Sequence, residues 1–227
     1  MKTIKRTVFI FVAILSISTM NAQEKSSKVS FDIGADFASR YVWRGVEFSD
    51  SPAIQPFAEI STGNFTLGVW ASYETGGQVV GQEFDFYASY AIGAVSIGFT
   101  DYAFPIDGIS DGYFMAKNHV GEATLSFDGV ESFPLTAMLG VNVYNDNDNS
   151  IYTEVGYPFS IGETSISAFV GGGNYIYSTD GDYKITNIGL SASKDLKVTD
   201  SFSLGLTASA IFNPDSDDAY LVFVVSL

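Results

Sequence analysis

The chain has no cysteine, a single histidine, and 11 basic residues against 26 acidic ones. Without cysteine there can be no disulfide, no thiol redox chemistry and no thiolate metal site, so stability has to come from elsewhere. The one histidine, His119, leaves little room for a Ser-His or Asp-His hydrolase, which needs the imidazole inside a site with an orienting partner. It falls on a loop-to-strand boundary, where a solvated side chain is the simpler expectation, and no enzymatic activity is expected. The shortage of positive charge argues against a nucleic-acid partner, because an acidic surface repels phosphate. Long hydrophobic runs are also missing. Beyond residue 22 nothing approaches the ~18 consecutive apolar residues that a helix needs to cross a bilayer. If this chain sits in a membrane, it sits there as strands.

The one apolar run lies at the start. Lys2, Lys5 and Arg6 precede the stretch from Val8 to Ile17, and Ser18-Thr19-Met20-Asn21-Ala22-Gln23 follows it. A basic start, a short apolar middle and a small residue at the cut site form a secretory signal peptide over residues 1–22, cleaved after Ala22. A transmembrane helix is the competing reading, but the run is too short for ~30 Å of hydrocarbon. The expected mature chain, residues 23–227, has 205 residues in one domain, with 8 basic residues and a net charge of −18.

Most of that domain alternates with period two, in segments close to the ~10 residues of a membrane strand. Val29, Phe31, Ile33, Ala35 and Phe37 fall on one face, with Ser30, Asp32, Gly34 and Asp36 on the other. Phe84, Phe86, Ala88 and Tyr90 oppose Glu83, Asp85, Tyr87 and Ser89 in the same way. Clean apolar faces recur at Phe65–Ala71, Leu135–Val143 and Phe202–Ala210, and weaker ones near 54–61, 95–102, 120–127, 151–159, 164–173 and 183–193. A twelfth run, Ala219, Leu221, Phe223, Val225 and Leu227, stays apolar to the last residue, where a soluble domain is normally polar. Connections alternate between tight turns (62–64, 93–94, 162–163) and longer acidic or Gly-rich loops (45–53, 74–82, 105–113, 145–149, 174–182, 213–218). Short inside and long outside is the membrane-barrel pattern, with both termini in the periplasm. The turns at 128–132 and 195–200 exceed the ideal length, which leaves their register open.

The second faces carry Ser, Thr, Gly, Asp and Glu, too small and polar to fill a soluble core to native density. A secreted β-sandwich also alternates, but it buries its bulky face. In a bilayer every backbone N–H and C=O must pair within the protein, and a closed sheet achieves this without an edge. The expected fold is therefore all-β, an antiparallel up-and-down transmembrane barrel of about twelve strands. Tyr73, Tyr90, Tyr157 and Phe159 fall near strand ends, where aromatic rings favour the membrane interface. If the first strand continues, Tyr41 and Trp43 stay on its lipid face near the outer rim.

Continuing that strand also places Asp32, Asp36, Arg40 and Arg44 on its inward face. Four-residue steps are ~13 Å, so these groups must look across strands for partners. Glu59, Glu83, Asp85, Glu122 and Glu154 all lie on expected inward faces. Such a set either braces the wall with ion pairs or forms a charged constriction that selects solutes. Seven carboxylates against two arginines would favour cations in an open pore. Asp146-Asn147-Asp148-Asn149-Ser150 begins like a calcium loop, but Ile151 stands where Gly is required and Tyr157 where the bidentate Glu belongs. Gly171-Gly172-Gly173 lacks the lysine and helix of a phosphate loop. No metal and no cofactor are expected.

Ser39-Arg40-Tyr41-Val42-Trp43-Arg44-Gly45, then Ser49-Asp50, Pro52-Ala53-Ile54-Gln55, Gly68-Val69-Trp70-Ala71-Ser72 and Glu83-Phe84-Asp85-Phe86-Tyr87, resemble the TorF-type porins of Gram-negative outer membranes. The resemblance is specific over roughly residues 30 to 90. Where that family carries a segment ending in Tyr-Pro-Gly, this chain has Tyr102-Ala103-Phe104-Pro105-Ile106. Met20-Asn21-Ala22-Gln23 is similar to the signals of exported Bacteroidetes proteins. The resemblance implies an outer-membrane barrel, in contact with lipid and lipopolysaccharide and inserted by machinery that reads the C-terminal strand. The expected function is passive diffusion of small hydrophilic solutes with a leaning toward cations. The competing class is a non-conducting barrel with a structural or surface-binding role, which inward-pointing Trp70 and Phe169 would favour by filling a narrow lumen.

Overall fold

A computed structural model describes residues 29–77, 81–105, 115–200 and 202–227. The expected signal peptide lies outside the described residues, as does most of the loop expected at 105–113. In chain order the strands are β1 (Ser30–Ala38), β2 (Tyr41–Trp43), β3 (Val46–Ser49), β4 (Ala53–Thr62), β5 (Phe65–Glu74), β6 (Glu83–Ile92), β7 (Val95–Ala103), β8 (His119–Phe127), β9 (Thr136–Tyr144), β10 (Ile151–Ile161), β11 (Thr164–Gly173), β12 (Lys184–Lys197), β13 (Ser203–Asn213) and β14 (Asp218–Ser226). β2 and β3 pair with each other, and the other twelve close into one antiparallel up-and-down barrel. No described helix is long and apolar enough to cross a membrane.

The wall forms because β-branched and aromatic residues alternate with small polar ones, a pattern that suits a pleated surface with two different environments. Bulky residues point outward: Phe31 is 79% exposed, Ile33 81% and Leu221 63%. Phe86, Ile97, Phe99, Leu125, Leu139 and Phe223 continue that apolar belt on neighbouring strands. Inward lie Asp36, Gln55, Ser72, Glu83, Asp85, Glu122, Asn142, Ser191 and Ser209, all buried. This is the reverse of a soluble barrel. Tyr73, Tyr90, Tyr157 and Phe159 stand on the outer face as the alternation predicts, all but Tyr157 within two residues of a strand end.

The barrel closes between β1 and β14, where Asp36 faces Ser226 and Ala38 faces Val224. The backbone N–H of Leu227 donates to the Ala35 carbonyl at 3.0 Å and lengthens this short seam. The C-terminal apolar run is thus the last stave of the wall. At the end that carries the termini, turns at 63–64, 93–94 and 162–163 join strands directly. The 128–135 connection folds on itself through a Val130–Phe133 bridge, and the one after β12 is closed by bonds from the Val198 and Thr199 N–H groups to the Phe202 carbonyl. The longer connections gather at the opposite end.

One of those connections departs from the sequence expectation. The first strand does not run on through Trp43. It stops at Ala38, and residues 41–49 form a separate hairpin whose partners lie inside the barrel. Tyr41 is 2% exposed and packs on Phe57 and Trp70 of the wall. Tyr41 and Trp43 therefore face the lumen, not lipid. The reason is physical: lipid would cover one face of an extended strand, whereas the lumen buries both, and here Tyr41, Val42 and Trp43 are all apolar.

Candidate functional site

The hairpin turns tightly at Arg44-Gly45, with Trp43 opposite Val46. Both central residues have positive φ, 53° and 80°, as a two-residue turn matched to strand twist requires. At Gly45 a second constraint applies. A Cβ there would lie 1.8 Å from the Thr186 carbonyl oxygen on β12, so the tip touches the far wall through bare backbone. The tip is also tied there by hydrogen bonds: Asn213 Nδ2 donates to the Gly45 carbonyl at 3.0 Å and Thr186 Oγ1 to the Arg44 carbonyl at 3.4 Å.

Between base and tip the hairpin spans the lumen, a different wall on each face. Tyr41, Trp43 and Phe48 pack with Phe57, Trp70 and Tyr87. Val42 packs with Phe169, Ile211 and Val222, joined by Tyr220 and Val224. Trp43 lies 5.4 Å from the Tyr102 ring and 5.6 Å from Tyr177. Aromatic pairs of this kind contribute about 0.5–1.5 kcal/mol beyond their area, which matters because an isolated two-stranded hairpin is marginal in water. Trp70 at 1% exposure and Phe169 at 6% point inward and fill cross-section.

Arg44 is the polar anchor. Its guanidinium makes a two-pronged contact with the Glu122 carboxylate on β8, Nη1 to Oε2 and Nη2 to Oε1, the latter at 2.9 Å. Nη1 also donates to the Tyr177 hydroxyl at 2.6 Å. The guanidinium carbon sits 4.3 Å from the Trp43 ring centroid and 4.5 Å from that of Tyr152. Both side chains are sealed from solvent, at 7% and 1% exposure. Charge-assisted pairs of this geometry are among the strong ones, and removing one partner from a buried pair is far costlier than never having had it.

The other sequence-selected residues divide between the hairpin and the wall. Arg40 pairs with Glu47 at 2.8 Å, bracing the hairpin base. Tyr41 donates to Glu83 at 2.7 Å, and Asp85 lies next to it on the same inward face. Glu154 accepts from Tyr152 at 2.6 Å and from Asn187 at 2.8 Å. Glu59 accepts from Tyr87 at 2.8 Å and faces Asp32 in register, while Asp36 faces Gln55. Of the seven carboxylates singled out, only Glu122 meets an arginine among the described residues; Asp32, Asp36, Glu59, Glu83, Asp85 and Glu154 have no ion pair. Below the hairpin the lumen carries hydroxyls in cross-strand pairs, Ser61 with Thr66 at 2.9 Å, Ser191 with Ser209 at 2.7 Å and Ser193 with Thr207 at 3.0 Å.

Tyr102, Tyr152 and Tyr177 complete the site and were not singled out from the sequence. Tyr152 shares the parity of Glu154, a signal that could have placed it inward. Tyr177 sits on a single helical turn, Tyr175–Tyr177, in a long loop, where no period exists to assign it a face. His119 opens β8 with Nδ1 3.0 Å from Asp101 on the neighbouring strand, away from this cluster. Asp146 accepts from Asn142 Nδ2 and from the N–H groups of Asp148 and Ser150, so its carboxylate shapes the turn. Among the described residues no group of three or more His, Cys, Asp or Glu side chains is placed to hold a metal.

A family model described as a bacterial protein of unknown function (Gcw_chp) matches residues 22–212. No curated protein matches the chain.

Proposed function

This chain belongs to the Gcw_chp family of bacterial proteins, and from that premise and the geometry above we propose that it is a non-enzymatic outer-membrane β-barrel, closed at its long-loop mouth by its own first connection. The carrying observation is the hairpin at residues 41–49, anchored through Arg44 to Glu122 and through Gly45 to the far wall. The membrane reading is supported by the continuous apolar outer belt, which exceeds what a soluble monomer leaves uncovered. The long loops then face outward, toward lipopolysaccharide, and the termini face the periplasm. The signal peptide expected at residues 1–22 supplies the export route.

A second reading, the TorF-type porin, is favoured by the lumen beneath the hairpin. Six inward carboxylates have no ion pair among the described residues, and beneath the hairpin the wall bears hydroxyls; both suit small hydrophilic solutes and cations, once the hairpin is displaced. Planar-bilayer recording of the refolded protein separates the two. The closed reading expects no steady ohmic steps from the full chain. It expects regular steps, with reversal potentials favouring cations in a salt gradient, when residues 41–49 are replaced by a short Gly-Ser link. Steady conductance of the unaltered protein would overturn the closed reading in favour of an open porin.

A further inference from the structure

Apart from the Trp43 ring of the hairpin itself, 4.3 Å away, the groups that hold the Arg44 guanidinium belong to the wall and to the loop before β12. Glu122 comes from β8, Tyr152 from β10 and Tyr177 from the loop before β12. The Glu122 oxygens also accept from the hydroxyls of Tyr102 at 3.1 Å and Tyr177 at 3.3 Å. Those bonds involve no hairpin residue, so the carboxylate is positioned with or without its arginine. Gly140 on β9 makes room for it: a Cβ at that position would lie 2.5 Å from Glu122 Oε2.

The shape of the site selects a planar fork over a point charge. Two carboxylate oxygens take the two Nη groups, the Tyr152 ring lies 4.5 Å from the guanidinium carbon and the Tyr177 ring 5.4 Å. An ammonium group offers one nitrogen as a point charge and lacks the two parallel N–H donors and the flat face that match the carboxylate and the rings together. We infer that Glu122, Tyr152 and Tyr177 form a guanidinium-binding site in the barrel wall, that Arg44 is its tethered occupant, and that guanidinium-bearing solutes compete with Arg44 for it. Taken with the closed-mouth reading, on which this consequence rests, a solute of that class frees the hairpin tip and opens the barrel.

The site itself is tested without reference to conduction. The full chain carrying Arg44→Met keeps an apolar stem but leaves the carboxylate free. Its thermal unfolding midpoint in detergent micelles is measured against methylguanidinium and methylammonium, both well below denaturing concentrations. The expected result is a saturable upward shift with methylguanidinium, several-fold larger than with methylammonium, and no such difference when Glu122→Gln is added. Equal shifts with the two cations, or a guanidinium shift that survives Glu122→Gln, would overturn the site. Should Arg44→Met not refold, the unaltered protein serves. Methylguanidinium should then raise the frequency of bilayer openings while methylammonium does not, and Glu122→Gln should erase that difference; equal effects of the two cations sink the inference. Failure here leaves the closed mouth standing, whereas steady conductance without any additive removes the closed mouth and leaves the midpoint test of the site intact.

Discussion

Two residues of the hairpin carry consequences out of proportion to their size. Glu122→Gln leaves the Arg44 guanidinium buried opposite a neutral amide, and losing one partner of a buried pair costs about 3–5 kcal/mol. Urea unfolding of the refolded protein should show a loss of that order, with the midpoint lowered. At Gly45, any side chain meets both the left-handed backbone and the Thr186 carbonyl 1.8 Å away. Gly45→Ala is therefore expected to lift the tip off β12, and Trp43 emission should move to longer wavelength as the ring becomes hydrated. An unchanged emission maximum in a folded Gly45→Ala protein would mean that the tip is not seated as described. Glycine was visible in the sequence, but its reason was not: the atom it avoids is 141 positions away along the chain.

At the scale of elements, the strands and the loops answer to different forces. Loop 145–150 is organised by one carboxylate. Partial burial raises the Asp146 group, but hydrogen bonds from Ser150, Asn142 and Asp148 outweigh that effect and hold it below the ordinary aspartate value. Its contribution to stability is therefore present above the unfolded value near ~3.9 and is lost as pH falls through the lower folded value. Protection of the Asp148 and Ser150 amides, read as exchange relative to the intrinsic rate at each pH, should fall as the solution is acidified through that range, and Asp146→Asn should flatten the pH dependence. The twelve wall strands were legible because each strand carries an apolar face outside and a polar face toward the lumen, and period two records that difference. The hairpin was not. Its alternation continues in phase from Phe37 through Tyr41 and Trp43, so it reads as more of β1. Both of its faces are buried, and a segment buried on two sides gives periodicity nothing to report.

For the whole molecule, the arrangement of apolar and polar faces makes an ordered prediction. Leu139, near the middle of β9, lies on the outer belt, and Leu139→Arg should cost about 2–4 kcal/mol in folding into lipid vesicles, as a charge at the bilayer midplane does. Thr207→Val, on the inner face, forfeits one hydroxyl pair with Ser193 and should cost no more than about 0.5–1.5 kcal/mol. A soluble barrel would reverse that order, because its outer positions would face water.

Sequence alone determined the sheet: an all-β chain, twelve staves, which face is apolar, and which acids turn inward. Each of those facts is local, set by the environment on either side of a ten-residue segment. The seat of the hairpin inside the barrel was decided only in three dimensions. Arg44 meets Glu122 78 residues away and Tyr177 133 away, and the Gly45 carbonyl meets Asn213 168 away. Whether a loop leaves the barrel or folds into it depends on complementary groups that the closed wall brings face to face, and no pattern within the loop itself encodes their meeting.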